Sequence, residues 1–193
     1  MTLIFDTETT GKADFKKPAN DPCQPHLVQL AAQLLDDDLE VMAEISFIVY
    51  PDTWSIPNQA AEIHGITTEM ATKAGLPLID VLQIFLRLLV RSRTIVAHNL
   101  KFDTLILTNA FDKTPLMPNW TENLNRVDIF CTMLEMVSHC NLPGPYGPKW
   151  PKLQEAYSHC GGSTISNFHN AMADVQACAH IYRWLKRNIN NES

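Results

Sequence analysis

The segment Thr2-Leu3-Ile4-Phe5-Asp6-Thr7-Glu8-Thr9-Thr10-Gly11 decides the reading of this chain. Thr2 to Phe5 is a short apolar, β-branched run and reads as a strand. Gly11 ends it, and residues 12–26 hold three prolines with Asn20 and Asp21, so a long loop follows. Asp6 and Glu8 lie two apart on an extended chain and therefore point to one face. They stand at the end of an apolar strand, the place where ligands gather in α/β sheets. Two carboxylates so close repel each other unless a cation lies between them. An acidic strand end facing water would carry the same two residues, so the pair needs support from elsewhere.

Working outward, Leu27 to Leu35 and Val41 to Tyr50 read as two further strands joined by the polar turn Asp36-Asp37-Asp38. With the first strand they suggest an antiparallel meander. The pattern then changes. Asn58 to His64 reads as a short helix. Pro77 to Val90 places Leu78, Val81, Leu82, Phe85, Leu88 and Leu89 at helical spacing. Thr94 to Ala97 is a buried-type strand, Leu100 to Phe111 a helix, Val127 to Phe130 a strand and Thr132 to Ser138 a helix. Asn141 to Pro151 carries four prolines and two glycines and reads as loop. Lys152 to His159 and Ala171 to Lys186 are the last expected helices. The expected fold class is α/β, a mixed sheet covered by helices, with residues 1–193 forming a single domain.

The bulk properties agree. The 193 residues are 46% hydrophobic, enough for a real core. The longest apolar run, Val81 to Val90, is too short to cross a membrane and contains Arg87. No basic stretch precedes an apolar one at the N-terminus, so a cytoplasmic location is expected. The five cysteines form no C-x-x-C pair and are expected to be reduced. His139-Cys140 and His159-Cys160 are adjacent pairs, which suit a tetrahedral zinc ion poorly. The net charge of −6 argues against a protein that coats long nucleic acid through a broad basic surface. It leaves room for an enzyme that holds a few nucleotides through metal ions.

Two more carboxylates join the first pair. Asp103 falls in the first turn of the helix after Thr94 to Ala97, where the helix dipole favours an acid. Asp174 shares the apolar stripe of the last helix with Ala177, Cys178, Ile181 and Leu185. A carboxylate aimed at a core is costly unless paired or metal-bound, and Arg183 and Lys186 lie too far along the helix to pair with it. Asn170 is a good N-cap, which leaves His169 in the loop before that helix. Four carboxylates thus converge from three elements. Hard oxygen ligands suit Mg2+, with Mn2+ able to substitute. Two such ions about 3.5–4 Å apart can clamp a phosphodiester. His169 has the chemistry of a general base at neutral pH.

These residues resemble the DEDDh family of 3′→5′ exonucleases in the ribonuclease-H-like superfamily, which includes proofreading subunits and stand-alone bacterial or phage DNA exonucleases. The first motif is matched by Phe5-Asp6-Thr7-Glu8-Thr9-Thr10-Gly11, the second by His98-Asn99-Leu100-Lys101-Phe102-Asp103, and the third by His169-Asn170-Ala171-Met172-Ala173-Asp174. Ile63-His64-Gly65-Ile66-Thr67 is a further family-like segment. The resemblance implies a ribonuclease-H-like mixed sheet and metal-dependent release of nucleoside 5′-monophosphates from a 3′ end, with single-stranded DNA as the expected substrate. It implies metal ligation by Asp6, Glu8 and Asp174, with Asp6 bridging to a second ion and Asp103 completing the site. It implies substrate contacts from Thr9, Thr10, Gly11, His64, Ile66, Asn99 and Phe102. An RNA-directed exoribonuclease or oligoribonuclease is the alternative within the family. A nucleic-acid-binding module without catalysis is the alternative outside it.

Lys12, Lys16 and Lys17 follow the first motif, and Lys101 lies in the second. They are candidates to hold phosphates, and Tyr146 or Trp150, beside Lys149, to stack a base. The chain ends soon after the last helix, with no polymerase-binding tail evident, so a stand-alone enzyme is expected. No membrane partner is expected, and the oligomeric state is not legible.

Overall fold

The computed structural model describes residues 1–114, 120–163 and 169–189. Strand β1 (Thr2–Thr9) continues past its apolar start through Asp6 and Glu8. The sequence pattern ends the strand at Phe5, but β2 (Leu27–Leu35) pairs with it antiparallel from Thr2↔Leu35 to Thr9↔Leu27. That ladder keeps the polar half extended. β3 (Val41–Ile48) pairs antiparallel with β2. β4 (Thr94–Ala97) runs parallel to β1, and β5 (Asp128–Cys131) parallel to β4. The order is β3-β2-β1-β4-β5, a mixed sheet.

Helices cover both faces, as the alternation of apolar side chains along a strand requires. Leu3 and Phe5 of β1 face a cluster with α3 (Leu78–Leu89) and α4 (Leu100–Asp112). Phe5 meets Phe85 edge-on, with ring centroids 5.3 Å apart. Ile4 faces the other way, against Val175, Cys178, Ala179 and Tyr182 of α8 (Ala171–Ile189). β2 is buried along its whole length, because both layers reach it.

Two helices break the expected pattern only by addition. α2 (Thr68–Ala74) follows α1 (Asn58–His64) directly, capped by Thr67, whose hydroxyl accepts from the Met70 N–H. α5 (Trp120–Leu124) is a short element after α4. α6 (Thr132–Cys140) and α7 (Leu153–His159) pack with α8 through Met136, Ala156 and Ile181. Among the described residues, no helix is long and apolar enough to cross a membrane.

Candidate active site

β4 stops at Ala97, while β1 runs on to Thr9. Their pairing ends at Ile4↔Val96, so the later part of β1 has a free edge on the β4 side. Asp103 fills that edge from the first turn of α4. Its Oδ1 accepts from the Thr7 N–H at 3.1 Å and from the Thr7 hydroxyl at 2.7 Å. The sequence reading passed over Thr7. Its signal is its place between Asp6 and Glu8, where its side chain points to the opposite face and so toward α4.

Asp6 and Glu8 point toward α8, which carries Asp174. Asp174 is buried, and its Oδ1 has no hydrogen-bond partner. Its Oδ2 accepts from the His169 main-chain N–H at 3.3 Å. His169 lies just outside α8 in the left-handed region, at φ 72°. Asn170 accepts from the Met172 N–H, so it caps the helix as its side chain allows. Ligand atoms of Glu8, His169 and Asp174 lie within 4.8 Å of one another. Asp6 and Asp103 adjoin this group.

The electrostatics follow from burial and like charge. Burial pushes Glu8 up to about 8, with Asp174 and Asp103 adding to it. Burial lifts Asp103 to about 7 against the pull of the two Thr7 hydrogen bonds. Burial lifts Asp174 to about 6, and nearby His169 opposes this. Asp6 retains some open surface but lies deep in the cleft. Burial holds it well above the usual carboxylate range, and Asp103, Asp174 and Glu8 push the same way. Among the described residues no lysine or arginine pairs with any of the four. An orphaned Oδ1 within a set of hard oxygen donors fits a divalent cation, which would remove the repulsion.

On the β2 side a cavity of about 570 Å³ opens against Glu8, Thr9, Thr10, Gly11, Lys12, Ile63 and His64. His64 ends α1, where Gly65 at φ 77° takes the left-handed turn that a side chain would strain. Its Nδ1 accepts from the Ile66 N–H at 3.1 Å. Ile66 itself is buried with Val28, Ile56, Ala60 and Ala71, and it is Ile63 that lines the cavity. Asn99 stands at φ 73° before α4, facing a second cavity, and Phe102 packs against the core beside α3. Of the predicted substrate residues, the structure thus gathers Thr9, Thr10, Gly11 and His64 around one cavity. It sets Ile66, Asn99 and Phe102 apart from that cavity.

Residues 3–182 match the profile of the exonuclease family. The chain belongs to the exonuclease family. An uncharacterized exonuclease of Escherichia phage 186 is 30% identical over 184 residues, covering 90% of this chain and 82% of that protein. Exonuclease I of E. coli, solved with single-stranded DNA and zinc, superimposes with a TM-score of 0.74 at 22% identity. Exonuclease I of Methylocaldum szegediense gives 0.72 at 20% identity. These matches cover 97% and 96% of this chain but only 40% of the solved chains, so the likeness is one of fold. The exonuclease is therefore a DEDDh-type nuclease with the ribonuclease-H-like architecture, acting on nucleic acid. The family depends on divalent metal, and the acidic group with His169 is the candidate site for it.

Proposed function

We propose that residues 1–193 form one exonuclease domain that removes nucleoside 5′-monophosphates from the 3′ end of single-stranded DNA. The observation that carries this reading is the meeting of four carboxylates, with no lysine or arginine partner among the described residues and one orphaned oxygen, beside His169. Asp6, Glu8 and Asp174 would hold Mg2+, Asp6 would reach a second ion, and Asp103 would complete the set. Bound divalent ions supply positive charge to the phosphoryl transition state and make a nucleophilic water available near neutral pH.

The chain's own residues do the rest. His169 stands exposed at the rim, its backbone held by Asp174, and its ring takes the proton of the attacking water. Thr7 fixes the Asp103 carboxylate in place. The cavity lined by Thr9 to Gly11 and His64 takes the terminal nucleotide, and its size suits a small polar ligand. Solved complexes of exonuclease I with oligodeoxynucleotides support DNA as the substrate. RNA is the second polymer to test.

The experiment is to incubate 5′-labelled single-stranded DNA and RNA oligomers with Mg2+, Mn2+ or EDTA, beside Asp174→Ala. The expected result is a ladder of shortened DNA, abolished by EDTA and by the substitution. Shortening from the other end, or no shortening of either polymer with either metal, would overturn the reading.

A further inference from the structure

Two cavities meet the elements that carry the acids, one at the end of β1 and one along α4. The first, described above, touches Glu8 from the β2 side. The second is larger, about 860 Å³, and runs along β5, from Val127 and Ile129 to Cys131. Asn99 and Lys101 form its inner wall, on the same first turn of α4 that sends Asp103 inward. Cys131, paired with Ala97 at the carboxyl end of the parallel strands, adjoins it. None of the four carboxylates lines it, so a strand whose end fills the first cavity would reach it by passing over Asn99 and Lys101.

Two exposed aromatics rim the second cavity. Phe15 is 47% and Trp150 67% exposed, which is unusual for side chains with so much apolar surface. Phe15 has a ring contact, and the backbone next to Trp150 is anchored. Lys101 Nζ stands 5.0 Å from the centre of the Phe15 ring. The loop carrying Phe15 is stapled by buried Gln24, whose amide bonds Asp14 and the Pro18 carbonyl. Trp150 precedes Pro151, whose carbonyl lies 3.0 Å from His98 Nε2. The other His98 nitrogen meets the Thr132 hydroxyl at 3.0 Å. Burial lowers His98 to about 4, so the ring is neutral and acts as a strut between the second motif and the proline-rich loop. Fixed, exposed aromatics spend little entropy when a ligand binds.

Charge narrows the ligand. Among the described residues lining this cavity, Lys101 is the one that is charged. The protein as a whole carries −6. A strand held here is gripped by its base faces, with little phosphate neutralisation. We infer that the cavity between Phe15 and Trp150 is the binding track for the unpaired bases upstream of the cleaved nucleotide, which stack on these rings without regard to base identity. This rests on the exonuclease reading, and it explains why the two long loops flank the second motif. The apolar rim also continues onto Ile129 of β5, the last strand of the sheet among the described residues, and onto exposed Leu134 of α6, so a second copy of the chain is the competing occupant.

The test compares an oligomer of about ten nucleotides, long enough to cover such a track, with the nitrophenyl ester of thymidine 5′-phosphate, which is too short to reach it. The readout is the ratio of kcat/KM on the two substrates. Phe15→Ala and Trp150→Ala should each lower this ratio about tenfold, the loss of one stacked base. Trp150→Phe should restore most of it. The ratio should also respond weakly to salt. In EDTA, oligomer should quench tryptophan fluorescence in the parent and not in Trp150→Phe. Unchanged ratios with quenching that persists in Trp150→Phe would overturn the track. So would a dimer abolished by Ile129→Asp whose formation excludes the oligomer. If the parent cleaves neither substrate with any metal, the catalytic reading fails, and the quenching still decides whether bases enter the groove.

Discussion

Two buried polar sets in this molecule obey opposite rules. Gln24 is 2% exposed, yet its amide is satisfied within its own loop: it accepts from the Asp14 N–H and donates to the Asp14 and Pro18 carbonyls. In the acid cluster Asp103 and Asp174 are buried and Asp6 and Glu8 half-buried, but the charges face one another and Asp174 Oδ1 has no partner. A complete network stabilises the chain that contains it. An incomplete one destabilises that chain until something from outside completes it. The contrast separates a scaffold from a site without reference to any relative.

The largest effect expected from this contrast is on turnover. Asp174→Asn should lower kcat on labelled oligomer by about a thousandfold, since it removes a ligand from charge stabilisation that supplies several kcal/mol. The same substitution should raise the metal-free melting temperature by roughly 2–4 °C, the size of effect that about 1 kcal/mol of relieved repulsion produces in a chain of this length. A fall in both quantities would mean that Asp174 serves the core rather than the ligand.

Gln24→Ala is the converse. It leaves an N–H and two carbonyls of the loop without their partner, so it should cost roughly 1–3 kcal/mol in chemical denaturation. It should raise KM more than it lowers kcat, because it loosens the loop beside the cleft and leaves the carboxylates in place. A stable Gln24→Ala protein would show that the loop is held by other means.

pH sharpens the comparison further. Glu8 at about 8 and Asp103 at about 7 lie above their unfolded values, so the folded protein binds protons more tightly than the unfolded one. Their stabilising contribution is complete below the unfolded values and is lost as pH rises through the folded ones. His98, depressed to about 4, works the other way, and costs stability as pH falls below its ordinary value. Across the window from about pH 6.5 to pH 8 His98 is neutral in the folded state and loses only the rest of its charge in the unfolded one, a smaller contribution of opposite sign. In EDTA, stability should fall across that window by on the order of 1–2 kcal/mol. Saturating Mg2+ should flatten the slope. A slope that is the same with and without metal would detach these carboxylates from any cation.

The sequence shows the acid cluster more readily than the scaffold around it. Asp6, Glu8 and Asp174 are legible because each breaks a local rule, an acid on an apolar strand or a carboxylate on a core-facing stripe, whereas Asp103 and His169 stand where such residues are ordinary and are legible only through the spacing of the motifs. The ends of β2 at Leu27 and Leu35 are legible because apolar composition alone sets them. The extension of β1 through Thr9 is not, because it depends on pairing with residues far along the chain. Thr7 is hidden for the same reason, since its value lies in the place where β4 stops. Ile63 and Ile66 look alike in the His-Gly segment, and only the packing of α1 onto Val28 turns one inward and leaves the other at the cavity.

The smallest effect concerns Lys12 and Lys17, which the sequence treats as equals. Lys12 lines the cavity beside Glu8 and makes no ion pair among the described residues. Lys17 is committed to its own loop: its Nζ lies 3.1 Å from Cys23 Sγ and 3.6 Å from the Asp21 carboxylate. Exposed pairs of this kind contribute little to stability, but they do occupy the ammonium. Lys12→Ala should therefore reduce the slope of log KM against log salt by about 0.7, the share of one phosphate contact on a single strand. Lys17→Ala should leave that slope where it was. Equal slopes for the two variants would mean that the loop opens to release Lys17 when the strand binds. The Gln24 staple would then belong to the moving machinery, and the division between satisfied scaffold and unsatisfied site would fail at this loop.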